Sequence, residues 1–204
     1  MPKPKLLIAT SNPGKLAEFK QFLADVPITL VSLLDAGITQ RAPEDGFTLQ
    51  ENAIAKATFY GGLANLPALA DDGGFEIDAL NGEPGVKSHR WVHQDREDED
   101  EEIIAYAIKR MQGIPLEKRG AQLRLVLALV LLNGEVVTIE DKVQGVVPLV
   151  PAADRSEKLP YRSLLFFPKV EKFYAQLTPA EMEQYNHRKR AINKLKSVIM
   201  EKLL

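Results

Sequence analysis

The fold is decided by residues 6–15, which read Leu-Leu-Ile-Ala-Thr-Ser-Asn-Pro-Gly-Lys. Residues 6–9 form an apolar run without alternation, and such a run predicts a buried strand. Asn12 is a favourable helix N-cap, and Pro13 would take the first helical position, where its missing N–H costs nothing. The stretch therefore predicts a strand that feeds directly into the N-terminus of a helix.

Three further segments have the pattern of helices. Thr48 stands three residues before Glu51, which is the spacing of a capping box. Residues 95–111 open with acids and then become amphipathic. The chain from Thr178 to its end is predicted to be helical, with apolar residues spaced for one buried face.

Further strands are expected between these helices. Residues 28–33 and 68–70 are short apolar runs that predict strands, and the second is predicted to end where it runs into residues 71–74. Residues 123–132 and 136–147 flank Asn133-Gly134, which predicts a long β-hairpin. We therefore predict an α/β fold with an elongated mixed β-sheet flanked by helices, forming a single domain over residues 1–204 with two lobes around a central cleft.

Composition limits the class of protein. The chain has 204 residues, 45% hydrophobic and 26% charged, which is enough for a sizeable core. A formal net charge of −2 argues against a nucleic-acid binder, although a local cluster of Lys and Arg could still hold a small anion. The sequence has no Cys, which excludes disulfides, thiolate zinc sites and cysteine nucleophiles.

No segment has the pattern of a membrane span or a signal peptide. The longest apolar run, residues 125–132, is far shorter than the ~20 residues that cross a bilayer. The apolar run at residues 6–9 is too short for a signal peptide. We therefore expect a cytoplasmic protein without membrane contact.

The turn after the first strand is a candidate phosphate site. A helix N-terminus presents free N–H groups and the positive end of the helix dipole. Lys15 adds a charge, Asn12 a side-chain donor, and Thr10 or Ser11 a hydroxyl. The glycine pattern is not that of a Walker loop, and a plain capped turn is the alternative interpretation.

Asp71 and Asp72 are candidate ligands of a divalent cation. They follow a short strand and precede Gly73 and Gly74. Adjacent carboxylates can hold Mg²⁺ through one or two oxygens plus waters, and one of them can orient or deprotonate a water. An exposed Asp-Gly turn is the alternative.

Two other groups of side chains could join these. Lys56 lies among alanines on the helix that starts near Thr48, so its ammonium could approach a phosphate closely, and Glu44 just before that helix could join the metal site. Residues 186–188, Asn-His-Arg, offer donors to a phosphate or a base edge, although a solvated basic face is the simpler account.

Two features are interpreted as structural. The acidic run at residues 97–102 lies at a helix start, where the helix dipole favours negative charge. His89 and His93 have the spacing of helical metal ligands, but Pro84 and Gly85 just upstream argue against a helix there.

Taken in order, these segments resemble the inosine triphosphate pyrophosphatase family over nearly the whole chain. Members of that family hydrolyse non-standard purine nucleoside triphosphates. The similar segments are residues 10–15 (Thr-x-Asn-x-x-Lys in the family), 44–57 (an acidic loop and a second phosphate helix), 70–74 (Ala-Asp-Asp-Ser-Gly), 82–90 (Gly-x-Pro-Gly-x-x-Ser-x-Arg) and 186–188 (Ser-His-Arg).

The departures from the family pattern concentrate at the base-reading end. Residues 159–163 read Leu-Pro-Tyr-Arg-Ser where the family typically has Phe-Gly-Tyr-Asp-Pro, a loop that helps hold the base. Tyr161 is kept, Arg162 reverses a charge, and Met182 stands where relatives carry a lysine. Gly73 replaces a serine. The residues that resemble the family's triphosphate-binding residues are therefore largely kept, whereas those that resemble its base-binding residues are not.

The resemblance implies a nucleoside triphosphate substrate in the central cleft, such as ITP, dITP or XTP, which is hydrolysed to the monophosphate and pyrophosphate. Asp72 would be the catalytic carboxylate that holds the water attacking the α-phosphorus, and Glu44 and Asp72 would hold Mg²⁺. Relatives are often homodimers, so a homodimer is expected. The implied substrate-binding residues are Thr10, Ser11, Asn12, Lys15, Lys56, Gly73, Tyr161, His187 and Arg188.

Two alternatives stay open at this point. Arg162 and Met182 are compatible with a pyrophosphatase whose base preference has shifted. The altered loop is also compatible with a non-catalytic nucleotide-binding sensor or scaffold. The intact pair Asp71-Asp72 favours an enzyme that turns over its substrate, because a protein that only binds nucleotide has little need for a site that holds metal and water.

Overall fold

The computed structural model describes residues 2–204. None of the helices in that range is both long and apolar enough to cross a membrane. The strands are β1 (Lys5–Ile8), β2 (Thr29–Ser32), β3 (Ala68–Ile77), β4 (Pro84–Gly85), β5 (Gly120–Val130), β6 (Val136–Val146), β7 (Phe166–Phe167) and β8 (Lys172–Phe173). The α-helices are α1 (Pro13–Phe22), α2 (Leu49–Ala64), α3 (Asp100–Arg110), α4 (Pro179–Tyr185) and α5 (His187–Leu203).

The strands form one mixed sheet. Among the described residues it has eight strands in the order β2-β1-β3-β5-β6-β7-β8, with β4 paired to β3. β1 runs parallel to both β2 and β3, whereas the pairs β3–β4, β6–β7 and β7–β8 are antiparallel. The predicted α/β class with a mixed sheet flanked by helices is confirmed.

The chain divides into two compact units. The first unit comprises the described residues as far as Asp72, together with Leu125–Asp141 and Arg188–Leu204. The second unit comprises Gly73–Arg124 and Lys142–His187. The boundary falls inside β3, between Asp72 and Gly73. That the two units act as lobes of a single domain stays a prediction.

The first unit buries both faces of its central strands. Leu6 and Ile8 belong to a core that includes buried residues of α1 and α5. Leu7 and Ala9 belong to a second core, which includes buried residues of α2. Since successive strand residues point to opposite faces, helices on both sides require an apolar residue at every position. This explains the apolar run without alternation.

The second unit has one core around α3. Ile103, Ile104 and Ala107 of this helix are buried together with Phe75 and Tyr161. The predicted amphipathic helix within residues 95–111 is confirmed, with a later start than the acidic run.

The predicted end of the strand at residue 70 is wrong, because β3 continues through residues 71–74 to Ile77. A Cβ atom on Gly74 would lie 2.5 Å from the carbonyl oxygen of Gly85. Glycine therefore permits the close pairing of β3 with β4, and the strand goes on to bury Phe75 and Ile77. Residues 84–85 form β4.

The helical stretch predicted from Thr178 onward is two helices. The Thr178–Glu181 capping box starts α4, and the extended backbone of Asn186 separates α4 from α5. Met182 of α4 packs on the core of the second unit, while Leu195 of α5 is fully buried in the first unit. The helix is interrupted at Asn186 because α4 and α5 bury their apolar faces in different cores.

The predicted hairpin is confirmed as β5 and β6. Leu131 N–H donates to the Glu135 carbonyl (2.9 Å) and Gly134 N–H donates to the Leu131 carbonyl (3.0 Å). Gly134 has a φ of +85°, the left-handed conformation that glycine adopts without strain. Asn133-Gly134 thus lies in a connection longer than the tightest hairpin turn.

Candidate active site

The predicted phosphate turn forms the N-terminus of α1. Asn12 is the N-cap, and its Oδ1 accepts from the backbone N–H of Lys15 (3.1 Å). Thr10 Oγ1 accepts from the N–H of Asn12 (3.2 Å), which holds the approach to the helix. Ser11 is exposed. The capping therefore confirms the predicted helix start and leaves a polar surface at the positive end of the helix dipole.

Asp71 and Asp72 lie on opposite faces of β3, because adjacent strand residues alternate. Leu69, two residues before Asp71, belongs to the core that holds α1 and α5. Ala70, two residues before Asp72, belongs to the core that holds α2. The two carboxylates therefore meet different helices and form two clusters.

The Asp71 cluster comprises Lys15, Asp71, Arg188 and Glu18. Lys15 Nζ lies 3.1 Å from Asp71 Oδ2, and Arg188 donates to the same oxygen from Nη2 (3.0 Å) and Nε (3.3 Å). The other end of the guanidinium donates to Glu18 Oε2 (2.6 Å). The side chain of Asp71 is 0% exposed, so these charges replace the water that it lacks.

Electrostatics in the Asp71 cluster favour a charged carboxylate. Burial alone would raise the pKa of Asp71, but the charges of Lys15 and Arg188 hold that pKa well below its usual range. Burial lowers the pKa of Lys15 in spite of the attraction of Asp71. Among the described residues none hydrogen-bonds to Asp71 Oδ1, which is buried. All the donors converge on the other oxygen.

The Asp72 cluster comprises Glu44, Asn52, Lys56 and Asp72. Lys56 Nζ donates to Asp72 Oδ1 (2.7 Å) and lies 3.2 Å from Glu44 Oε1. Asn52 Nδ2 donates to Asp72 Oδ2 (3.2 Å). Burial raises the pKa of Asp72, against the opposing charges of Lys56 and Lys15. A carboxylate with a raised pKa is better able to accept a proton near neutral pH.

The loop that carries Glu44 is tied to α2. Asn52 Oδ1 accepts from the N–H of Gly46 (2.8 Å), and Glu51 Oε2 accepts from the N–H groups of Phe47 (2.7 Å) and Thr48 (3.1 Å). The capping box predicted at Thr48 and Glu51 is confirmed. The start of α2 therefore positions Glu44 as well as Lys56.

Two residues of these clusters were missing from the sequence-based site. Glu18 lies three positions after Lys15, and Asn52 lies four positions before Lys56. Residues at these spacings share a helix face. Helical periodicity could therefore have indicated Glu18 and Asn52, since each shares a helix face with a lysine that the sequence predicts for the site.

The remaining predicted site residues belong to the second unit. Tyr161 is buried, its hydroxyl donates to the Ser88 carbonyl (2.6 Å), and its ring stacks on Phe75 with centroids 4.7 Å apart. Burial raises the pKa of Tyr161. His187 is buried, with Nδ1 3.4 Å from the Tyr174 hydroxyl. Gly73 continues β3.

The substituted base loop is also folded into the second unit. Residues Pro160–Ser163 form a short 3₁₀ helix. The guanidinium of Arg162 lies over the ring of Tyr174, 4.9 Å from its centroid, which is a cation–π contact. Tyr161, which is kept from the family pattern, thus packs in the core of the second unit. Arg162, which is substituted, packs over the buried Tyr174.

The acidic run and His93 share a network of local hydrogen bonds and ion pairs. Asp98 accepts from the N–H groups of Val92 and His93, each at 2.8 Å. Glu102 accepts from the N–H of Glu99 and pairs with Arg96. His93 Nδ1 lies 3.1 Å from Asp98. His89 and His93 precede α3 and do not lie on a helix.

The sheet and the two clusters together define an α/β protein with cationic and acidic groups gathered on both faces of β3. Residues 6–198 match the model of the Ham1 family. The chain belongs to the Ham1 family, which confirms the resemblance seen in the motifs.

The relatives are similar over nearly the whole chain. A dITP/XTP pyrophosphatase of Thermus thermophilus is 37% identical over 192 residues, covering 94% of this chain and 89% of that protein. A dITP/XTP pyrophosphatase of Bacillus subtilis is 34% identical, covering 95% of this chain and 96% of that protein. A solved HAM1 protein from Coxiella burnetii has a TM-score of 0.84 at 29% identity, covering 97% of this chain and 99% of that one.

Proposed function

We propose that this protein hydrolyses non-standard purine nucleoside triphosphates, such as ITP, dITP and XTP, to the monophosphate and pyrophosphate. The names of the Thermus and Bacillus relatives support this reaction. The observation that carries the proposal is the Asp72 cluster, where one ammonium lies within 2.7 Å of Asp72 and 3.2 Å of Glu44. These two carboxylates are therefore directed at a common point that a cation can occupy.

The donor set of this cluster fits a hard divalent cation. Glu44 and Asp72 offer carboxylate oxygens, the ligands that Mg²⁺ takes in phosphate-handling sites. We propose that these two residues hold Mg²⁺. When bound, the ion would neutralise charge on the phosphates and polarise the reacting phosphoryl group.

Asp72 is the proposed catalytic carboxylate. Its carboxylate would orient the attacking water and accept the proton of that water at Oδ1 or Oδ2. Asn52 holds the carboxylate in place through Oδ2. The attack would fall on the α-phosphorus, with pyrophosphate leaving, and most of the acceleration would come from positioning and charge.

The triphosphate would be held by the N-terminus of α1 and by both buried lysines. Thr10, Ser11 and Asn12 supply hydroxyl and amide groups beside the helix N-terminus. Lys15 and Lys56 supply positive charge. Arg188 is bonded to Asp71 and Glu18, so we assign it the positioning of Asp71, which in turn holds Lys15. Contacts of Gly73, Tyr161 and His187 with the substrate stay predictions.

The test is a product analysis on a panel of triphosphates with Mg²⁺. ITP, dITP, XTP, dUTP, ATP and GTP are each incubated with the wild-type protein and with Asp72→Asn, and products are separated by chromatography. We expect monophosphate and pyrophosphate from the wild type, and a loss of at least about 100-fold in rate for Asp72→Asn, since proton transfer contributes this much. Circular dichroism checks that the variant is folded.

Other results of the same experiment identify the alternatives. Release of inorganic phosphate, with the diphosphate as product, would contradict the proposed bond cleavage. Fastest turnover of dUTP, ATP or GTP would establish the shifted base preference that Arg162 suggests. Binding without turnover of any triphosphate would establish the non-catalytic sensor. The cytoplasmic location and the homodimer stay predictions, and sedimentation of the purified protein tests the second.

A further inference from the structure

Lys56 occupies the point on which the two acidic side chains converge. Its Nζ lies 2.7 Å from Asp72 Oδ1 and 3.2 Å from Glu44 Oε1. The lysine side chain is 10% exposed, and that of Asp72 is 12% exposed. The Glu44 side chain is 42% exposed, so the ammonium neutralises one mostly buried carboxylate and one at the surface, which would otherwise repel each other.

A divalent cation held by the same two oxygens would compete with this ammonium. Mg²⁺ sits about 2.0–2.1 Å from carboxylate oxygens, which places it in the space between the carboxylates where Lys56 Nζ lies. Two positive groups there would repel strongly in a partly buried site. The other oxygen of Asp72, Oδ2, already accepts from Asn52 (3.2 Å), so a cation bound there would share that oxygen with the amide.

A polyphosphate can resolve the conflict. Its oxygens give the ammonium a new partner and bring the negative charge that balances lysine and metal together. The stem of Lys56 extends from α2, so a change of side-chain rotamer suffices to redirect Nζ without moving the helix.

We propose that the ammonium of Lys56 blocks divalent cations from binding to Glu44 and Asp72 until a polyphosphate binds that ammonium instead. Metal and nucleotide would then bind together. This inference rests on the proposed function and adds the order of ligand binding to it. By linkage, the nucleotide then tightens metal binding and the metal tightens nucleotide binding by the same factor.

Lys15 provides a matched control within the same unit. It is also a buried lysine beside an aspartate, with 12% of its side chain exposed. Its partner is Asp71 Oδ2 at 3.1 Å, on the opposite face of β3. Removal of this charge leaves the contacts of Lys56 with Glu44 and Asp72 in place.

The experiment measures Mn²⁺ binding by electron paramagnetic resonance, in which free Mn²⁺ gives the signal. The wild type, Lys56→Met and Lys15→Met are titrated with and without α,β-methylene-ITP, which cannot be cleaved between the α- and β-phosphates. For the wild type we expect the analogue to tighten Mn²⁺ binding about 10-fold or more beyond the chelation of Mn²⁺ by the analogue alone, which is measured without protein and subtracted; this lies within the usual range of coupling between ligands. Without the analogue, Lys56→Met is expected to bind Mn²⁺ about 10-fold more tightly than the wild type, since a repelling charge is gone.

Lys15→Met should tighten Mn²⁺ binding less than Lys56→Met does in the absence of nucleotide, because Lys15 is paired with Asp71 and its charge influences Asp72 less than that of Lys56. Equal Mn²⁺ affinity of the wild type with and without bound analogue would overturn the inference, and this comparison needs no variant. Equal affinity of folded Lys56→Met and wild type without nucleotide would overturn it too. Lys56→Gln replaces Lys56→Met if the latter does not fold.

Failure of the proposed function gives a different result. If calorimetry detects no binding of the analogue to the wild type, the nucleotide is not a ligand and the proposed function fails. The comparison of Lys56→Met with the wild type in Mn²⁺ alone then still decides whether the ammonium excludes the cation.

Discussion

At the scale of single residues, two adjacent aspartates have opposite properties. Asp71 is held ionised by Lys15 and Arg188, which lower its pKa, whereas burial raises the pKa of Asp72. The difference arises because the alternation of β3 turns one carboxylate to two buried cations and the other to one. Asp71 can therefore stabilise the fold while Asp72, the next residue, takes part in proton transfer.

Asp71→Asn is expected to lower the free energy of unfolding by about 3–5 kcal/mol, because it leaves two buried cations without their common partner. Urea denaturation at neutral pH measures this. The matched control is Asp25→Asn, which removes the partner of Lys196 at an exposed position and should leave the denaturation midpoint unchanged. An equal midpoint for Asp71→Asn and the wild type would contradict the structural role of Asp71.

The same residue predicts a pH dependence. The pKa of Asp71 in the folded protein lies below its ordinary value of 3.8. A carboxyl group with a lowered pKa contributes stability that is present above the unfolded pKa and is lost as the pH falls. The stability advantage of the wild type over Asp71→Asn should therefore begin to shrink below about pH 4 and continue to shrink as the pH falls towards the lowered pKa of the folded state. Urea denaturation of both proteins between neutral and acidic pH checks this, and a gap that widens on acidification would refute it.

At the scale of elements, β3 depends on a close backbone contact. Gly74 faces Gly85 of β4, and a Cβ atom there would lie 2.5 Å from a backbone oxygen that has no flexible side chain to move. The contact lies two residues after Asp72, so it holds the strand that presents both aspartates.

Gly74→Ala is expected to cost about 1–3 kcal/mol of stability, the usual range for forcing extra volume into a packed site. Gly62→Ala is the control, since Gly62 is exposed on α2 and a Cβ there meets nothing within 4 Å. That substitution should raise stability by about 0.5–1 kcal/mol, because glycine is unfavourable inside a helix. Thermal denaturation compares the two variants with the wild type. A change in stability of the same sign for both variants would show that the contact of Gly74 with Gly85 does not matter.

At the scale of the whole molecule, the first unit is assembled from three separate segments of the chain. Its last segment is most of α5, where Ile192, Leu195 and Ile199 are fully buried. Arg188 of the same segment reaches Asp71 and Glu18. The end of the chain thus completes both a core and the Asp71 cluster.

A chain that ends at Asn186 is therefore expected not to fold. Truncation of one buried aliphatic side chain costs about 2–5 kcal/mol, and three such losses approach the whole stability of a domain, about 5–15 kcal/mol. Circular dichroism with thermal denaturation tests this. Removal of Leu204 alone, which is 63% exposed, should leave the melting temperature unchanged. A cooperative transition of the shortened chain would show that α5 is dispensable.

The sequence by itself determined the features that depend on neighbours within a few residues. Hydrogen bonds over three or four positions form the Asn12 cap, the capping box of Thr48 and Glu51 and the hairpin at Asn133-Gly134. Such contacts are the same in any fold that contains the segment. The α/β class followed from these elements and their order, and the motifs indicated the family.

Only the tertiary structure decided which chemical groups meet. Asp71 and Arg188 are 117 positions apart, and Lys56 meets both Asp72 and Glu44 only because α2 packs beside β3. The continuation of β3 through residues 71–74 required Gly85, and the division of the last helix required two separate cores. These outcomes depend on contacts between distant segments, whose energies exceed local preferences and leave no trace in the spacing of residues.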